Sequence, residues 1–449
     1  RTAGEEALRR VGESGGYVTP LQADGARPTE GDAVRFGPGS DVSVAYWHYL
    51  KSPNDCVGSC VFSSLRPPLR VSDGAQSIEA QVSSFVEVRA QACVNDAAMV
   101  FEDRFAVAPV GKPSVKTIIA EQRVFIVLEY PLQVEGQEMS ASMSQFVGEL
   151  DVNLEELYEM ASLIAAFESN NQFLEKHIRQ VIDTFSRVDP EKLPPVGAMT
   201  FDLSGGEVWL KSDVRDHVVR LLSGYVPLLQ VFGTRNFEYR EAPVGTDAKR
   251  FETVYNRNML IPMGEAHTGV EASFAYLDWW QPFFDLNCKG EVCRSEDIIN
   301  TFVFPFGMQR YNFAYDLSFP VMVELRSPLA LNGRGFVFRF ALEGNVRNNA
   351  PMDAVFEPVI FPAVPEFGSL MCEENQRPVP LRITTSVPIS AAVTFICGQE
   401  ACPLGKTSDG ILDARAPVCI GGSVLVQAKG FGDASVPLTT VFEDAPEVR

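Results

Sequence analysis

The sequence has no long apolar run, little basic charge and few histidines, and each absence narrows the class of protein. No stretch of 18 or more apolar residues occurs, so we expect no membrane-spanning helix within the sequence. The 38 basic residues are outnumbered by 58 acidic ones, which gives a formal charge of −20. Negative charge repels phosphate groups, so we expect no nucleic-acid partner and no binding to an anionic membrane surface.

Histidine is too sparse for the common zinc motifs. The four histidines are His48, His177, His217 and His267. No two of them stand in an H-x-x-x-H spacing. A zinc site made of cysteine needs four ligands, whereas Cys397, Cys402 and the lone Cys419 supply three. We therefore predict no metal site and no cofactor.

Two stretches match part of a catalytic motif without its context. Gly405-Lys406-Thr407 resembles the end of a phosphate-binding loop, but Glu400 stands where that loop needs its first glycine, and no helix is predicted to follow. Residues 12–16 match G-x-S-x-G, but a helix precedes Ser14 and a strand follows, the reverse of a nucleophile elbow. We predict no catalytic residue and no enzymatic activity. A secreted hydrolase with a facing pair of carboxylates is the least favoured alternative.

The nine cysteines are spaced as disulfides would be. Cys288 with Cys293, and Cys397 with Cys402, are C-x4-C pairs that close a short loop or hairpin, which favours an oxidising compartment over a metal site. We predict structural disulfides among Cys56, Cys60, Cys288, Cys293, Cys372, Cys397, Cys402 and Cys419. Cys419 is predicted to reach back to Cys372. The remaining Cys93 falls on the apolar stripe of a predicted helix and is expected to face a core.

The periodicity of apolar residues predicts an α+β protein with helices mostly in its N-terminal half. Helices are predicted over 5–13, 78–101, 153–188 and 208–224, with Asn153 and Glu156 as a capping box. Strands dominate after residue 228. Pro320 within one of them indicates an edge strand or a bulge.

Turn signals divide the chain into three predicted domains. They are an α+β domain over 1–200, a β-rich domain over 201–365 and a disulfide-stapled, immunoglobulin-like β-sandwich over 366–449. Four prolines within 356–368 predict a stiff linker before the sandwich. Gly405-Lys406-Thr407 is then most simply a turn that leaves one strand of that sandwich.

The pair Trp279-Trp280 with Asp278 is the one candidate ligand platform. Aromatic faces and carboxylates are what carbohydrate sites use, so these residues fit a surface adhesin that binds carbohydrate or a partner cell. Large aromatic residues also bury most of their area in ordinary cores, and we favour the interpretation that these two tryptophans are core residues.

Several stretches resemble a family of uncharacterised, membrane-anchored extracellular proteins of small-genome archaea. The matching pieces are "EEALRRVGESGGYVTP", "VAYWHYL", "IEAQVSSFVEVRAQACVNDAAMVFE", "VWLKSDVRDHVVRLLSGYVPLLQVFGTRNFEY", "YNFAYDLSFPVMVEL", "FVFRFALEGNVRNNAP" and the closing cysteine-rich block. The closing block is similar to carboxypeptidase-regulatory-like sandwich domains, of the immunoglobulin/transthyretin-like kind. The resemblance implies a surface location without an established activity, and it implies that Cys93 is the odd thiol.

The favoured function is that of a cell-surface structural protein, either an ectodomain or a subunit of an extracellular filament, sheath or layer. Its expected partners are copies of itself or other surface proteins, because strand-rich segments can add to a neighbour's sheet edge. The chain opens at Arg1 without an initiator Met, so we expect a mature product whose membrane anchor, if any, lies upstream.

Overall fold

The structure is a computed structural model in which the chain forms two compact, discontinuous units. The first unit comprises Arg1–Leu8, Pro68–Glu156 and Phe361–Arg449, and the second comprises Arg9–Pro67 and Leu157–Ile360. The residues described are 1–22, 27–35, 42–74, 76–101, 106–136, 140–202, 207–238, 259–262, 267–299, 307–357, 379–397, 400–417, 422–428, 431, 434–438, 440 and 447–448. The predicted division into three consecutive domains cuts the chain at other places and stays a prediction.

Helices and strands are both present, as an α+β protein requires, and the longer helices all precede residue 226. The α-helices are α1 (Thr2–Glu13), α2 (Ile78–Phe101), α3 (Leu154–Asn171), α4 (Phe173–Val188), α5 (Lys211–Tyr225) and the short α6 (Ala330–Gly333). Two 3-10 helices cover Val71–Asp73 and Val226–Leu228.

The strands follow in chain order. The first ten are β1 (Ala33–Arg35), β2 (Ser43–Leu50), β3 (Val61–Ser63), β4 (Ala106–Pro109), β5 (Ser114–Ile119), β6 (Val124–Glu135), β7 (Ser140–Leu150), β8 (Ala198–Asp202), β9 (Val208–Leu210) and β10 (Gln230–Val231). The next ten are β11 (Leu260–Ile261), β12 (Glu271–Ala275), β13 (Phe283–Leu286), β14 (Val292–Arg294), β15 (Glu296–Ile299), β16 (Gly307–Tyr311), β17 (Tyr315–Ser327), β18 (Phe336–Arg347), β19 (Ala350–Pro351) and β20 (Val355–Phe356). The last seven are β21 (Val379–Thr384), β22 (Ala392–Cys397), β23 (Glu400–Lys406), β24 (Ile411–Ala416), β25 (Gly422–Gln427), β26 (Ala434–Leu438) and β27 (Glu447–Val448).

A nine-stranded mixed sheet forms the centre of the second unit. Its main order is β12-β17-β18-β2-β3-β20, and β1, β13 and β19 add to it from the side. β17 and β18 pair antiparallel over their length, while β2 joins β18 in parallel. All eight residues of β2 are buried, and β17 and β18 are nearly so. Strands buried on both faces read as continuous apolar runs, which is how this stretch of sequence looks.

The prediction that Pro320 marks an edge strand or a bulge was wrong. Pro320 pairs with Glu343 in the interior of the sheet, and no register shift interrupts β17 against β18. On its other side β17 meets β13 at residues 315–318 and β12 at residues 322–326. Pro320 therefore lies opposite the gap between these two short strands, where its lack of an N–H costs no ladder hydrogen bond.

The end of α1 is fixed by two glycines, as predicted. Gly15 and Gly16 have φ values of 72° and 95°, and the Gly16 N–H closes the last turn by donating to the carbonyl of Val11 at 2.9 Å. A Cβ atom on Gly15 would lie 2.8 Å from the backbone nitrogen of Ala45. Glycine thus permits both the left-handed backbone and the close approach of β2.

The helical pattern over 153–188 forms two helices instead of the single one predicted. Asn153 caps the first, because its Oδ1 accepts the N–H of Glu156 at 3.1 Å, which confirms the predicted cap. The break falls at Gln172, whose φ of 51° and ψ of 49° are left-handed. Neither glycine nor proline marks this break, so the sequence gives no signal for it. α4 ends at Val188, before Asp189-Pro190, as predicted.

A four-stranded antiparallel sheet and α2 belong to the first unit. β6 pairs with β4 and β5 along one side and with β7 along the other. The hydroxyl of Ser83 on α2 accepts the N–H of Thr117 on β5 at 2.9 Å. The buried face of α2 consists of Ile78, Val82, Val86 and Ala90.

The prediction that Cys93 faces a core was wrong, because Cys93 is exposed and free. It lies seven residues after Val86 and so has the same angular position on the helix. Burial nevertheless ends at Ala90, and residues 91–93 are all exposed. Periodicity gives the face of a helix but not the point at which its covering layer stops.

The C-terminal strands form two sheets around one apolar cluster. One sheet has the order β24-β21-β27 and the other has the order β23-β22-β25-β26. Both sheets contribute to the cluster of Leu381, Ile383, Val393, Phe395, Cys402, Ala416 and Val424. The predicted linker over 356–368 lies mostly outside the described residues.

Candidate functional site

The two tryptophans of the candidate ligand platform are exposed to different extents. Trp280 is 4% exposed, its Nε1 donates to the carbonyl of Arg35 at 2.9 Å, and its ring meets Tyr276 edge to face. Trp279 is 48% exposed, and Asp278 is exposed beside it. The two indole rings therefore occupy different environments, and Trp280 is an anchor of the core.

Two of the predicted disulfides are present. Cys56 is bonded to Cys60 in the loop between β2 and β3, and Cys288 in the loop after β13 is bonded to Cys293 in β14. Cys402 is also disulfide-bonded. Cys372, Cys419 and the side chain of Cys397 lie outside the described residues, so the pairings predicted for them stay predictions.

The residues of the two partial motifs take part in ordinary backbone structure. Ser14 is 2% exposed, directly after α1. Lys406 ends β23, and the Thr407 hydroxyl accepts the N–H of Ala391 at 2.7 Å and donates to the carbonyl of Ile389 at 2.6 Å. Gly405 and Lys406 are thus the last residues of a strand and not the predicted turn, which follows at Asp409-Gly410.

The second unit has a polar pocket of about 710 Å³ between residues 27–32, residues 49–55 and Phe283. Two of its carboxylates already have partners, since Glu30 pairs with Arg27 at 3.1 Å and Asp32 accepts the Tyr49 hydroxyl at 3.2 Å. The Phe283 ring is approached by the guanidinium groups of Arg27 and Arg347, with distances to the ring centroid of 5.7 and 4.9 Å. Charged groups thus already contact this ring, which would otherwise be available for stacking on a ligand.

The strand β7 is the most open feature of the first unit. It has eleven residues and pairs only with β6 among the described strands, so the backbone groups along its other side lack a neighbouring strand. Residues 140–148, SASMSQFVG, contain no charged residue and no proline. An edge of this length without such residues is a ready template for another strand.

The other sheet edges carry the features that prevent strand addition. The other described strands of four residues or more that are paired on one side are shorter than β7, and each contains a charged residue or a proline, whereas β7 has one charged residue, Glu149, near its end. Examples are Pro109 in β4, Lys116 in β5, Glu271 in β12, Pro403 in β23, Asp413 in β24 and Pro437 in β26. β7 thus stands out among the described edges by its length and by its uninterrupted run of nine residues without charge or proline, 140–148.

Two exposed apolar side chains lie on one face of β7, beside its open edge. Met143 is 49% exposed and Val147 is 61% exposed, and both point to the same face because four residues separate them. Their partners on β6 are Leu132 and Val127, which are buried. The sequence analysis missed β7, although the alternation of Ala141, Met143 and Val147 with small polar residues is a weak strand signal.

Neither a metal site nor a membrane-spanning helix is found in the part of the chain that the structure describes. Within it, no three histidine, cysteine, aspartate or glutamate side chains are grouped so as to hold a metal ion. None of the helices in that part is long and apolar enough to cross a bilayer.

Comparison with known proteins gives no relative. No protein-family model matches the chain, and neither a curated protein nor a solved structure matches it at a significant level.

Proposed function

We propose that this chain is a cell-surface structural protein whose copies associate through the open edge of β7. The proposal is supported most directly by the eleven-residue length of this edge and by its lack of charge and proline over residues 140–148. Pairing would add hydrogen bonds to backbone groups that no described strand meets, and it would cover Met143 and Val147.

The partner at this edge is a second copy of the chain. Two identical edges related by a two-fold axis pair antiparallel, and this joins the two four-stranded sheets into one of eight strands. A self-complementary edge must avoid like charges facing each other, and residues 140–148 meet that condition although the whole chain carries −20. A closed dimer is then the unit from which a sheath or layer is built through further contacts.

An extracellular location is supported by the two disulfide bonds, since such bonds persist in oxidising compartments. It agrees with the resemblance to membrane-anchored extracellular proteins of small-genome archaea.

The C-terminal block is a transthyretin-like sandwich in this proposal. Lettered A to G in chain order, β21 to β27 form the sheets D-A-G and C-B-E-F. Immunoglobulin constant-type domains have the sheets ABED and CFG instead. The observed order supports the transthyretin-like alternative within the carboxypeptidase-regulatory-like resemblance, and such a domain serves as a spacer or binding module without catalysis of its own.

A charge placed on the open edge tests the proposed function. The variant Met143→Lys/Val147→Lys puts two positive charges on exposed positions, so it should fold normally and block strand addition. We expect the parent protein to form dimers in sedimentation velocity and the variant to stay monomeric. All proteins carry Cys93→Ser, so that the free thiol cannot link two copies.

The control is Val88→Lys, on a valine of α2 in the same unit that is more exposed than Met143 and Val147. We expect this control to dimerise like the parent. A parent protein that is monomeric at every concentration, or a β7 variant that dimerises as strongly as the control, would rule out the proposed edge.

A further inference from the structure

Three glutamate side chains are buried together in the second unit. Glu168 lies on α3, Glu175 on α4 and Glu343 on β18, and their exposed fractions are 0%, 2% and 0%. We call these three residues the acid cluster. Burial of a carboxylate is costly unless it is paired or neutralised, so the cluster calls for an explanation.

Each carboxyl group of the acid cluster accepts a backbone N–H from another element. Glu168 Oε2 accepts from Leu174 at 3.2 Å, Glu175 Oε1 from Asn345 at 2.7 Å, and Glu343 Oε2 from Leu50 at 2.9 Å. These bonds connect the start of α4 to α3, α4 to β18, and β18 to β2. The corner between α3 and α4, where Gln172 has a left-handed backbone, is thereby held against the central sheet.

The second oxygens of the cluster have no N–H or hydroxyl donor. They are Glu168 Oε1, Glu175 Oε2 and Glu343 Oε1. The side chains of Glu168 and Glu175 interact directly with each other. Two carboxyl groups in contact form a hydrogen bond only when one of them carries a proton and donates it.

Few cations face the acid cluster. Lys176 acts on Glu175, while Arg347 acts on Glu343 and also on Asp316. Glu343 also interacts with Tyr46 and Tyr49, whose hydroxyls are neutral because burial raises their pKa. This surrounding does not balance three negative charges.

We propose that Glu168 and Glu175 share one proton and form a proton-dependent lock that holds the corner between α3 and α4 against β18. With the proton present, the pair is compact and Glu175 keeps its bond to Asn345. Without it, two negative charges face each other in a buried site and the corner detaches. The proposal does not rest on assembly through β7, which belongs to the other unit.

The direction of the pH effect follows from burial. Desolvation raises the pKa of Glu168 well above its usual value and raises that of Glu175. A glutamate whose pKa is raised in the folded state stabilises fully below its unfolded pKa of 4.5, and this stabilisation is lost as pH rises towards the folded value. Burial lowers the pKa of His48 and His177 from 6.5 to about 4, so their protonation changes the stability of the protein only below about pH 6.5. Measurements between pH 6.5 and 8.5 therefore report on the carboxyl groups.

The test compares the parent protein with Glu168→Gln, which keeps the acceptor for Leu174 and supplies a permanent N–H donor to Glu175. The control is Glu191→Gln, which removes an exposed charge just after α4. Amide hydrogen exchange, corrected for the intrinsic pH dependence, is followed by mass spectrometry over residues 168–176. Residues 343–347 are left out of the comparison, because Glu343 has a pKa of about 8 of its own and stays in the variant. We expect the parent and the control to lose about tenfold or more in protection between pH 6.5 and 8.5, and Glu168→Gln to keep its protection.

Two outcomes would overturn the lock. One is protection of this segment in the parent protein that does not change with pH. The other is a Glu168→Gln variant whose protection falls as steeply as that of the control. Because the first comparison uses the parent alone, the lock is testable even if the variant fails to fold.

Discussion

At the scale of single residues, the burial of Glu343 links the stability of the protein to pH. Its side chain is fully buried, and this desolvation is the main reason why the pKa of the carboxyl group is raised to about 8. The N–H of Leu50 and the guanidinium of Arg347 oppose that shift without cancelling it. Glu343 is therefore neutral in the folded protein at pH 7 and ionised once the chain unfolds.

Replacing Glu343 by glutamine should remove this pH dependence. Its stabilisation is complete below pH 4.5, falls as pH rises and is lost above about pH 8. Glutamine keeps the acceptor for Leu50 and cannot ionise. At pH 8 we expect Glu343→Gln to be more stable than the parent by roughly 2–5 kcal/mol, measured by urea denaturation. Equal stability of the two proteins at pH 5 and at pH 8 would contradict the burial of an ionisable group.

Residue roles could be predicted where local chemistry decides them. The glycines after α1 and the cap at Asn153 follow from backbone preferences, and both were predicted. The acid cluster could not be predicted, because Glu343 is far from Glu168 and Glu175 in the sequence and glutamate is normally exposed. Only the tertiary fold brings these carboxyl groups together.

At the scale of elements, the close packing of α1 against β18 requires a glycine at residue 12, within the helix. A Cβ atom on Gly12 would lie 2.1 Å from the carbonyl oxygen of Val337, so the helix and strand touch at this point. Gly224 in α5 has no atom within 4 Å of the same position. The two glycines share a helical environment and differ only in their surroundings.

Alanine at these two glycines should therefore have opposite effects. Gly12→Ala forces the helix away from β18 and should destabilise the protein by roughly 1–3 kcal/mol. Gly224→Ala should stabilise it by about 0.5–1 kcal/mol, because alanine is the better helix former. Thermal unfolding of both variants decides the matter. If Gly12→Ala were as stable as Gly224→Ala, the contact between α1 and β18 would be wrong.

Element types were predictable where periodicity is strong, and their ends and neighbours were not. The helix over 78–101 was predicted with the bounds that α2 has. The break at Gln172 and the interior position of Pro320 depend on contacts with other elements, which no local pattern contains. β7 was missed because its Ser-rich sequence has few β-branched residues.

At the scale of the whole molecule, two effects govern assembly: the uncharged edge of β7 favours pairing, and the negative charge of the two copies opposes it. Two copies that each carry −20 repel one another, and salt screens this repulsion. The neutral edge itself loses nothing to screening. Association through β7 should therefore strengthen as salt rises, whereas association through ion pairs would weaken.

The most direct test of the central claim is hydrogen exchange over residues 140–150 in the Cys93→Ser protein. Dilute protein at ~0.05 M salt is compared with concentrated protein at ~0.5 M salt, conditions on either side of a large change in screening. We predict that exchange of 140–150 slows in the concentrated sample, because the outward N–H groups of β7 gain partners, while β5 at 114–119 stays unchanged. Association without slower exchange in 140–150, or no association at all, would contradict the account.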